Sequence, residues 1–580
     1  MRWFFESTKV EPWLERYCSE LGFSRWLTNL ISQKHFKDVD ALDTFLNPSL
    51  QKVEAPENIE HLDRAVQVIN SACKTGKRIA VLSDYDVDGV TSMALMHRGF
   101  NALHFNFTPF FPIREKEGYG LTERVVERLL STGQTFDFLI ALDCGTNSVE
   151  AVEKLNASGV QVVIVDHHHQ TCTELPEAIV VNPHVNADRH SNSAKALCTV
   201  GLVFKWLHLW LKYLKREGYA PALQAHMNPF LDLVALGTIA DVVPLKDENR
   251  IFTSKGLDVL RNTSLPGVQA LLHVADCCVE FPLTVDDIGF KLAPRINAGG
   301  RLDSADLPYR LLISTDEDSA KIWADQLNDL NIKRQAMERK ICQEAEAMIL
   351  LNPDKMAYVL FNKEWHVGVV GIAAGRLTRK YNRPVFVLGF QDGYAKGSGR
   401  SIPEVDLTEL FSAADALIKQ WGGHPNAVGL TLEEGNLENL ENFLNDYLRS
   451  KFGEMLPTPV LKISEVLSEE DISANFANEL TCLEPFGPEN ENPIFVIKSF
   501  VLKSQPERFG QENSHARFKV NNFNIIAWRC GNTQFPINVP IDLAIQFSWN
   551  VWKDKRRLQI QLIDWRYSET PHDTDQILSE

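Results

Sequence analysis

Several features are missing from this 580-residue sequence, and each absence excludes a class of protein. No run of 18 or more apolar residues occurs, which argues against a membrane-spanning helix. The first residues, Met-Arg-Trp-Phe-Phe-Glu, carry an acid early and lack a small-residue cleavage site, so they do not read as a secretory signal. Repeats and low-complexity tracts are absent too. We therefore expect a cytoplasmic protein with several folded domains and no membrane contact.

Cysteine is sparse and shows no pattern. The ten cysteines are scattered, and no pair has the C-x-x-C spacing that is typical of zinc and redox sites. The sequence therefore predicts reduced thiols and no structural zinc.

Positive charge is also in deficit. The chain has 59 Lys and Arg residues against 76 Asp and Glu residues, which gives a net charge of −17. A protein that coats nucleic acid through a broad basic face would show the opposite balance. An enzyme that grips a few phosphates is not excluded, because clustered acids become locally positive once they bind metal ions.

Polar motifs stand directly behind apolar runs at several places. Asp84-Tyr85-Asp86-Val87-Asp88-Gly89 follows residues 78–83, Asp143-Cys144-Gly145 follows 138–142, and Asp166-His167-His168-His169 follows 162–165. Continuous apolar runs of this length, spaced too widely for hairpins, predict buried strands of a parallel sheet. A fourth acid, Asp241, closes the apolar segment 231–240, which we assign to the same sheet.

Ligands bind outside the carboxyl ends of the strands in such sheets. The eight candidate groups that end these runs are Asp84, Asp86, Asp88, Asp143, Asp166, His167, His168 and Asp241. Carboxylates and imidazoles that meet at one edge repel each other unless a cation joins them. Mixed ligands of this kind suit Mn²⁺, with Mg²⁺ as the alternative, and two such ions would serve the hydrolysis of a phosphodiester.

Other interpretations, which involve no catalytic metal site, exist for the same residues. Taken singly, an Asp at a strand end is more often a turn residue or a helix N-cap. The spacing Asp84-x-Asp86-x-Asp88 also matches the start of a calcium-binding EF-hand loop, but its twelfth position is Leu95 and a strand precedes it, so we reject that reading.

The pattern of elements predicts an α/β protein with a doubly wound parallel sheet. We place a helical segment at 1–50, the catalytic α/β domain at 51–313, one long connecting helix at 314–352, a second α/β domain at 353–455, an OB-fold barrel at 456–567 and a disordered tail at 568–580.

The order and spacing of the motifs resemble the DHH phosphoesterases, a family called after the motif found here as Asp166-His167-His168. The similarity extends along nearly the whole chain. It includes Glu117–Leu121, Pro294–Leu302, Trp365–Gly371, Gly397–Ser401, Gly422–Pro425 and Pro485–Gly487. Each motif alone is weak, but in this order they are specific.

The resemblance implies two metal ions, Mn²⁺ or Mg²⁺, and a ligand set made of Asp86, Asp88, Asp143, His167 and Asp241, with Asp143 bridging. Some relatives carry a histidine where this chain has Leu82, so either Asp84 takes over that role or the first ion binds more weakly. The resemblance also implies that His168 faces the scissile phosphate or orients a ligand.

A glycine-rich motif, Gly397-Ser398-Gly399-Arg400-Ser401, is the candidate anion site. Its glycines would let backbone N–H groups line a concavity, and Arg400 would add a planar fork for phosphate; a flexible turn with a solvated arginine is the alternative. The resemblance implies a pocket for a 5′ phosphate, with Ser398 and Arg400 sensing the end. Further candidates for substrate contacts are Arg295, Asn297, Arg301, His366 and His424, although a buried, hydrogen-bonded histidine is as common as a contacting one.

Aromatic and basic residues of the predicted barrel are candidates for stacking on a DNA strand. They are Phe547, Trp549, Trp552 and Lys553. Since strand alternation buries every second side chain, barrel core is the competing interpretation of the aromatic ones.

Together these observations predict a metal-dependent exonuclease that degrades single-stranded DNA from the 5′ end to mononucleotides, in recombination and repair. The resemblance implies single-stranded DNA and a single-strand-binding protein as partners, and a helicase of the repair pathway is a further candidate. Two alternatives stay open. A DHH phosphatase of short oligonucleotides or cyclic dinucleotides usually lacks the outer regions seen here, and a non-catalytic replication scaffold would have lost some of the acids.

Overall fold

Strands and helices alternate between residues 79 and 181, as the apolar runs predict. The computed structural model describes residues 1–6, 9–552 and 555–568, so the predicted disordered tail, apart from Ser568, and Lys553 lie outside the described residues. Two compact units form: one holds residues 297–304 and 325–460 with the first two residues, and the other holds 3–296, 305–324 and the described chain from 461 onward. Among the described residues, no helix combines the length and apolarity needed to cross a membrane.

The described part of the N-terminal segment contains one strand and three helices, where the sequence predicts a helical segment. These are β1 (Arg2–Phe5), α1 (Pro12–Glu20), α2 (Arg25–Ser32) and α3 (Val39–Leu46). Ser24 and Asp38 start the second and third helices, since each side chain accepts a hydrogen bond from a backbone N–H of the first turn.

The catalytic α/β domain follows and begins with a parallel sheet and its helices. Its elements are α4 (Leu62–Lys74), β2 (Ile79–Ser83), α5 (Val87–Ala102), β3 (Thr108–Phe110), α6 (Arg114–Glu117), α7 (Glu123–Ser131), β4 (Phe138–Leu142), α8 (Val149–Ala157), β5 (Gln161–Val165) and β6 (Ile179–Val181). The five strands are all parallel in the order β3-β2-β4-β5-β6. Burial on both faces explains why these strands read as continuous apolar runs.

Helices alone make up the rest of this domain. They are α9 (Asn192–Lys195), α10 (Thr199–Arg216), α11 (Ala220–Gln224), α12 (Leu231–Ala240), α13 (Asp247–Arg261), α14 (Pro266–Val274), α15 (Ala293–Leu302) and α16 (Asp306–Ile313). The assignment of 231–240 to the sheet is therefore wrong. Helix α12 is buried from Leu231 to Ile239, so it shows no amphipathic period that would distinguish it from a buried strand.

The predicted long helix is present as α17 (Glu317–Leu351). It starts slightly later than predicted, because the capping side chain is Asp316, which accepts a hydrogen bond from Ser319 N at 2.8 Å. Arg334 interrupts the apolar pattern of the helix. Its buried guanidinium donates to Asn331 Oδ1 at 3.1 Å and to Glu338 Oε2 at 2.9 Å, which is how the helix tolerates a charge there.

The second α/β domain has a mixed sheet. Its elements are β7 (Tyr358–Phe361), α18 (Val370–Tyr381), β8 (Val385–Gln391), β9 (Tyr394–Arg400), α19 (Leu407–Ala413), β10 (Gln420–His424), β11 (Ala427–Leu432) and α20 (Leu437–Phe452). The five strands run in the order β10-β11-β9-β8-β7, and only β7 and β8 are parallel.

The glycine-rich motif is mostly strand and not loop, which corrects the sequence analysis. Residues Gly397 to Arg400 lie in β9 and pair on both sides, with β8 and β11. Their N–H groups serve the sheet ladder, so the predicted backbone concavity is absent. The glycines serve packing instead: a Cβ on Gly399 would overlap the ring of Phe386.

The C-terminal region forms the predicted barrel-like sheet. Its elements are β12 (Val460–Ile463), β13 (Glu465–Leu467), α21 (Ala474–Leu480), β14 (Phe495–Val501), β15 (Glu507–Phe509), β16 (His515–Val520), β17 (Phe523–Ala527), β18 (Pro540–Trp552) and β19 (Lys555–Tyr567). The sheet order is β13-β14-β18-β19-β17-β16-β15, with β17 and β19 parallel. The pairing of these strands fits an OB-fold, in which the 13-residue strands β18 and β19 form a long antiparallel pair.

The N-terminal helices and this barrel share one hydrophobic core, which the sequence does not reveal. Leu27 and Leu42 from the first helices belong to the same buried cluster as Phe476, Phe495 and Phe547. Phe547 is only 3% exposed, so its predicted role in stacking on DNA is wrong and the barrel-core interpretation is correct.

Candidate metal centre and phosphate pocket

The register of the parallel sheet brings the first three motifs together. Ser83 lies opposite Leu142, and Leu142 lies opposite Val165, so the three strands end at one level. Each following aspartate continues the ladder by one bond: Asp84 N donates to Leu142 O at 3.3 Å, and Asp143 N donates to Val165 O at 2.9 Å. The carboxylates therefore leave a common edge, as the sequence predicts.

Asp241 reaches the same edge from a helix. It is the C-terminal cap of α12, which packs on α5, and its Oδ2 lies 3.6 Å from His167 Nε2. Gly237 makes this packing possible, because a Cβ there would overlap Thr91 Oγ1 and lie 3.3 Å from Asp88 Oδ1.

Within the described residues, three groups of side chains have ligand atoms within 4.8 Å of one another, and two of the groups share Asp143. They are Asp84, Asp86 and Asp143; Asp143, His167 and His168; and Asp88, Cys198 and Asp241. His167 joins the groups, since its Nε2 lies 3.4 Å from Asp143 Oδ1 and 3.9 Å from Asp88 Oδ2. Asp143 belongs to two groups, which is the position that a bridging ligand needs.

Asp84 is a buried acid that follows Leu82 by two residues. Leu82 is buried inside β2, whereas both carboxylate oxygens of Asp84 are buried without a hydrogen-bond partner. Burial and the neighbouring charge of Asp86 raise the pKa of Asp84 well above its usual value. Unsatisfied buried carboxylate oxygens are what a cation would satisfy, so the residues present fit a divalent metal ion.

The other acids show the same crowding. Burial and the charge of Asp86 raise the pKa of Asp88 to about 6, and burial and the charge of Asp88 raise the pKa of Asp241 to about 9. Burial is also the main cause that raises the pKa of Asp143. A bound cation would offset this repulsion and keep the carboxylates ionised.

Helix α10 holds two of the acids through contacts that the sequence analysis missed. Thr199 N and Val200 N donate to the two oxygens of Asp88 at 2.7 and 2.9 Å, and Thr199 Oγ1 donates to Asp143 Oδ1 at 3.0 Å. Cys198, which precedes them, lies in a ligand group although no thiol was expected there. No acid or histidine motif marks this helix start, so no sequence signal pointed to it.

The second histidine of the DHH motif is held from both sides. His168 Nδ1 lies 2.7 Å from Asp166 Oδ1, and His168 Nε2 lies 3.1 Å from Tyr119 Oη. Burial alone would lower the pKa of His168, but the hydrogen bond and charge of Asp166 outweigh this and raise the pKa to about 9. Asp166 also accepts backbone hydrogen bonds from Thr146 and His167, so it shapes the loop.

Asp143 carries backbone strain. Its φ is 60°, in the left-handed region that residues other than glycine rarely occupy. Such outliers concentrate at functional sites, where the surrounding structure imposes them. Here the backbone N–H of Asp143 is held by its hydrogen bond to Val165 O, and the carboxylate is held by the hydrogen bond from Thr199 Oγ1.

A second group of candidates lies in the mixed-sheet domain. Ser398 and Arg400 alternate with glycines on β9, so both side chains leave the same face, beside the start of α18. A Cβ on Gly371 would lie 3.1 Å from Ser398 Oγ and 3.3 Å from Arg400 Nη2, so this glycine keeps the space between helix and strand open. A helix N-terminus beside a guanidinium is suited to a phosphate group.

The turn before α18 contains one more candidate, His366, and is contacted by another, Arg301 of α15. His366 Nδ1 accepts a hydrogen bond from Gly368 N at 3.0 Å, and Arg301 Nη1 donates to Gly368 O at 3.1 Å. Asn297 precedes Arg301 by about one turn in α15. His424 ends the exposed strand β10, opposite Ala427, which in turn lies opposite Arg400.

Arg295 belongs to the other unit of the chain. Its guanidinium donates to two backbone carbonyls, Lys291 O at 2.7 Å and Val274 O at 3.0 Å. These contacts give it a place in the packing of the catalytic domain.

Known families match the chain over most of its length. The model of the DHH family N-terminal domain matches residues 78–238, that of the DHHA1 domain matches 354–450, and that of the RecJ OB domain matches 463–564. The chain is 31% identical to the single-stranded-DNA-specific exonuclease RecJ of Bacillus subtilis over 579 residues, covering 98% of this chain and 71% of that protein. It is 32% identical to RecJ of Thermus thermophilus over 518 residues, covering 88% and 72%.

Solved structures agree with this assignment. The crystal structure of Thermus thermophilus RecJ in complex with Mn²⁺ matches with a TM-score of 0.82 and 27% identity, covering 98% of this chain and 80% of that one. The structure of the same protein with Mg²⁺ gives a TM-score of 0.76 and 25% identity, covering 98% and 79%. From the motifs, the fold and these relatives, the chain belongs to the RecJ family of DHH phosphoesterases.

Proposed function

We propose that this protein is a single-stranded-DNA-specific exonuclease that cuts from the 5′ end and releases mononucleotides, using Mn²⁺ or Mg²⁺. One observation carries the proposal: the carboxylates and imidazoles of three neighbouring groups meet at a single sheet edge, where buried oxygens of Asp84 and Asp241 lack hydrogen-bond partners. The similarity to the RecJ exonucleases supports the substrate and the reaction.

We assign two metal ions to the six candidate ligands, Asp84, Asp86, Asp88, Asp143, His167 and Asp241, with Asp143 shared between them. When bound, such ions activate water for attack and neutralise the charge on the phosphate. The protein's own part is to fix the ligands. Thr199 and Val200 hold Asp88 with two backbone N–H donors, and Asp143 is held in a conformation that it would not adopt alone.

His168 is the proposed phosphate contact at this edge. Asp166 accepts from its Nδ1 side and sets the ring plane, and Tyr119 positions its Nε2 side, beside which we place a phosphate oxygen. A hydrogen bond to a nonbridging oxygen would stabilise the charge that develops during the displacement.

The direction of cutting rests on the mixed-sheet domain. We assign Ser398, Arg400 and the N-terminus of α18 to the terminal 5′ phosphate, because hydroxyl, guanidinium and helix dipole all favour a dianion there. Arg301, His366, Asn297, His424 and Arg295 are the proposed further contacts to the strand.

The barrel offers a different DNA contact from the one that the sequence predicts. The ligand face of an OB-fold is formed by its second and third strands, here β16 and β17. Trp528 follows β17 and is 41% exposed, and its ring lies 4.8 Å from His515 and 6.0 Å from Phe509. Exposed rings of this kind stack on bases without reading their sequence, so we assign the part of the strand on the 3′ side of the cut to them.

Partners and location follow from the substrate. A cell covers exposed single strands with a single-strand-binding protein and exposes them with a helicase, so we propose both as partners in recombination and repair. A reducing cytoplasm suits the ten cysteines, all of which lie in the described residues and none of which is in a disulfide.

Degradation of end-labelled DNA tests the proposal. The protein is incubated with Mn²⁺ and single strands labelled at the 5′ or the 3′ end, blunt duplexes, dinucleotides and cyclic dinucleotides. We expect loss of single strands with immediate release of the 5′ label as a mononucleotide, and intact duplexes. Asp143→Ala abolishes this, whereas Glu153→Ala, which removes an exposed acid of α8, does not. Activity confined to dinucleotides, or release starting at the 3′ end, contradicts the proposal.

A further inference from the structure

Val242 has a backbone conformation that its side chain disfavours. Its φ is 61°, in the left-handed region. The other non-glycine residues with positive φ in the described chain are His, Asp, Asn, Ser, Glu and Arg, so Val242 is the only β-branched one among them. Branching at Cβ makes this conformation a true outlier, and an outlier calls for a local cause.

The backbone itself does not require valine at this position. Val242 follows Asp241, the cap of α12, and its N–H donates to Ile239 O at 3.2 Å, which closes the helix end. Left-handed residues at this place after a helix are usually glycine, or asparagine, because these adopt the conformation with the least strain. Glycine would therefore make the same turn more easily.

Packing does not require valine either. The side chain is 66% exposed. The residues after it are anchored without its help, since Pro244 O accepts from Asn249 Nδ2 at 3.0 Å and Leu245 N donates to Pro488 O at 2.8 Å. The isopropyl group is thus held out in a fixed direction by a strained but well-anchored segment.

The position next to Asp241 indicates what the side chain meets. All six candidate ligands are polar, so they are suited to metal ions and phosphate oxygens. Asp241, the residue before Val242, belongs to this cluster, since its Oδ2 lies 3.6 Å from His167 Nε2. A nucleotide also has apolar faces, on its sugar and its base, that the ligands do not contact. An exposed apolar group beside a metal ligand is suited to such a face.

We propose that Val242 is a substrate-contact residue whose isopropyl group packs against the sugar or base of the nucleotide at the bond that is cut. The inference rests on the proposed function. It explains why valine occupies a position where glycine would cause less backbone strain. The apolar side chain is needed for the substrate contact, whereas the turn alone would form with glycine.

Substitutions that keep the turn and remove the apolar group test this inference. Val242→Gly and Val242→Asn both suit the left-handed conformation, and Val242→Ile keeps the branched apolar side chain. We expect KM for single-stranded DNA to rise about tenfold in the first two, as for loss of a small apolar contact, and to stay near the wild-type value with isoleucine. Melting temperature should be unchanged or higher, and Mn²⁺ affinity by calorimetry and kcat should stay within about twofold.

His104→Gly is the matched control. His104 is also exposed, has φ of 59° and follows a helix end, with its N–H bonded to Asn101 O at 3.0 Å. It lies at the far end of α5, which begins beside Asp86, so it is about 24 Å from the metal ligands at 1.5 Å per residue. This variant should keep the wild-type KM.

Each other outcome decides against the inference. An unchanged KM in Val242→Gly means that only the turn matters. A loss of Mn²⁺ affinity in step with activity means that Val242 supports Asp241 and not the substrate. If the wild-type protein itself leaves single strands intact, the proposed function fails first and the inference fails with it.

Discussion

The two α/β sheets of this chain carry their candidate functional groups in different places. In the parallel sheet the groups come after the strands, at positions such as Asp84, Asp143 and Asp166. In the mixed sheet, Ser398 and Arg400 lie within strand β9 itself. The parallel strands are buried on both faces, so polar side chains can only leave at their ends. A strand with a half-buried face can present them along its length.

The difference bears on what each site can do. Strand ends and helix caps converge on one point, which produces a dense cluster of charges suited to metal ions. Alternate residues on a strand next to a helix N-terminus produce a sparse, positive site suited to one phosphate. We therefore expect chemistry to depend on the first site and end recognition on the second, and the following substitutions separate the two.

The largest effect is expected at the shared ligand. Asp143→Ala should lower kcat by roughly a thousandfold or more. Removing one member of a group that acts as a catalytic unit costs about as much as removing the whole group. Single-turnover digestion of a labelled strand measures it. Binding of the strand in a filter or anisotropy assay should persist, since the phosphate pocket is untouched. If the variant lost strand binding by the same factor as turnover, DNA binding and cleavage would not be separate functions of the two sites.

The phosphate pocket should show the opposite signature. Arg400→Ala is expected to raise KM about 10- to 100-fold for a strand with a 5′ phosphate, since a charge-assisted contact is lost, with a smaller change in kcat. Arg400→Lys should recover part of the loss, because lysine keeps the charge without the planar fork. Strands with a 5′ hydroxyl serve as the control: wild type and variant should differ little on them. An equal defect on both ends refutes the assignment.

Removal of one hydroxyl probes the support of His168. Tyr119→Phe should lower kcat about tenfold, as loss of a contact that orients a catalytic group does. Steady-state kinetics measure it, and Tyr447→Phe is the matched control, because it removes a tyrosine hydroxyl that donates to Glu409 Oε1 at 2.7 Å in the mixed-sheet domain. Unchanged kcat would mean that Asp166 alone orients the imidazole.

The last expected effect concerns stability and not catalysis. Mn²⁺ at about 100 times its Kd should stabilise the wild-type protein by about 2.7 kcal/mol for each ion bound, because the ions bind the folded state only. Arg400→Ala should show the same gain in a thermal scan, and Asp143→Ala should lose most of it. Equal gains in all three proteins would place the ion outside the parallel-sheet edge.

Much of the metal centre could be predicted from the sequence because a parallel sheet ties residue type to position. A continuous apolar run followed by an acid is visible in one dimension, and strand register then does the rest. Asp241 shows the limit of this argument. Its residue type was identified but its helix was not, because α12 is buried all round and has no period to read.

Other parts depend on contacts between distant segments and have no local signal. Thr199 supports Asp88 and Asp143 from a helix start with an ordinary sequence. Gly397 and Gly399 suggested a loop, yet their lack of side chains serves close strand packing. Phe547 looked like a DNA contact, because alternation along a strand tells which residues share a face but not which face is inside.

The core shared by the first helices and the C-terminal barrel has a consequence for how the protein is made. A ribosome releases the N-terminal helices early, but the strands that cover Leu27 and Leu42 leave it last. At about 5–20 residues per second, the apolar faces of these helices wait on the order of half a minute to two minutes for their partners. Arg250, whose guanidinium donates to Phe45 O at 2.9 Å and to Leu483 O at 3.0 Å, joins the same two ends. The nascent chain is thus exposed to aggregation until its final strands emerge, and cells short of chaperones should yield less of it than of a protein whose domains close in order of synthesis.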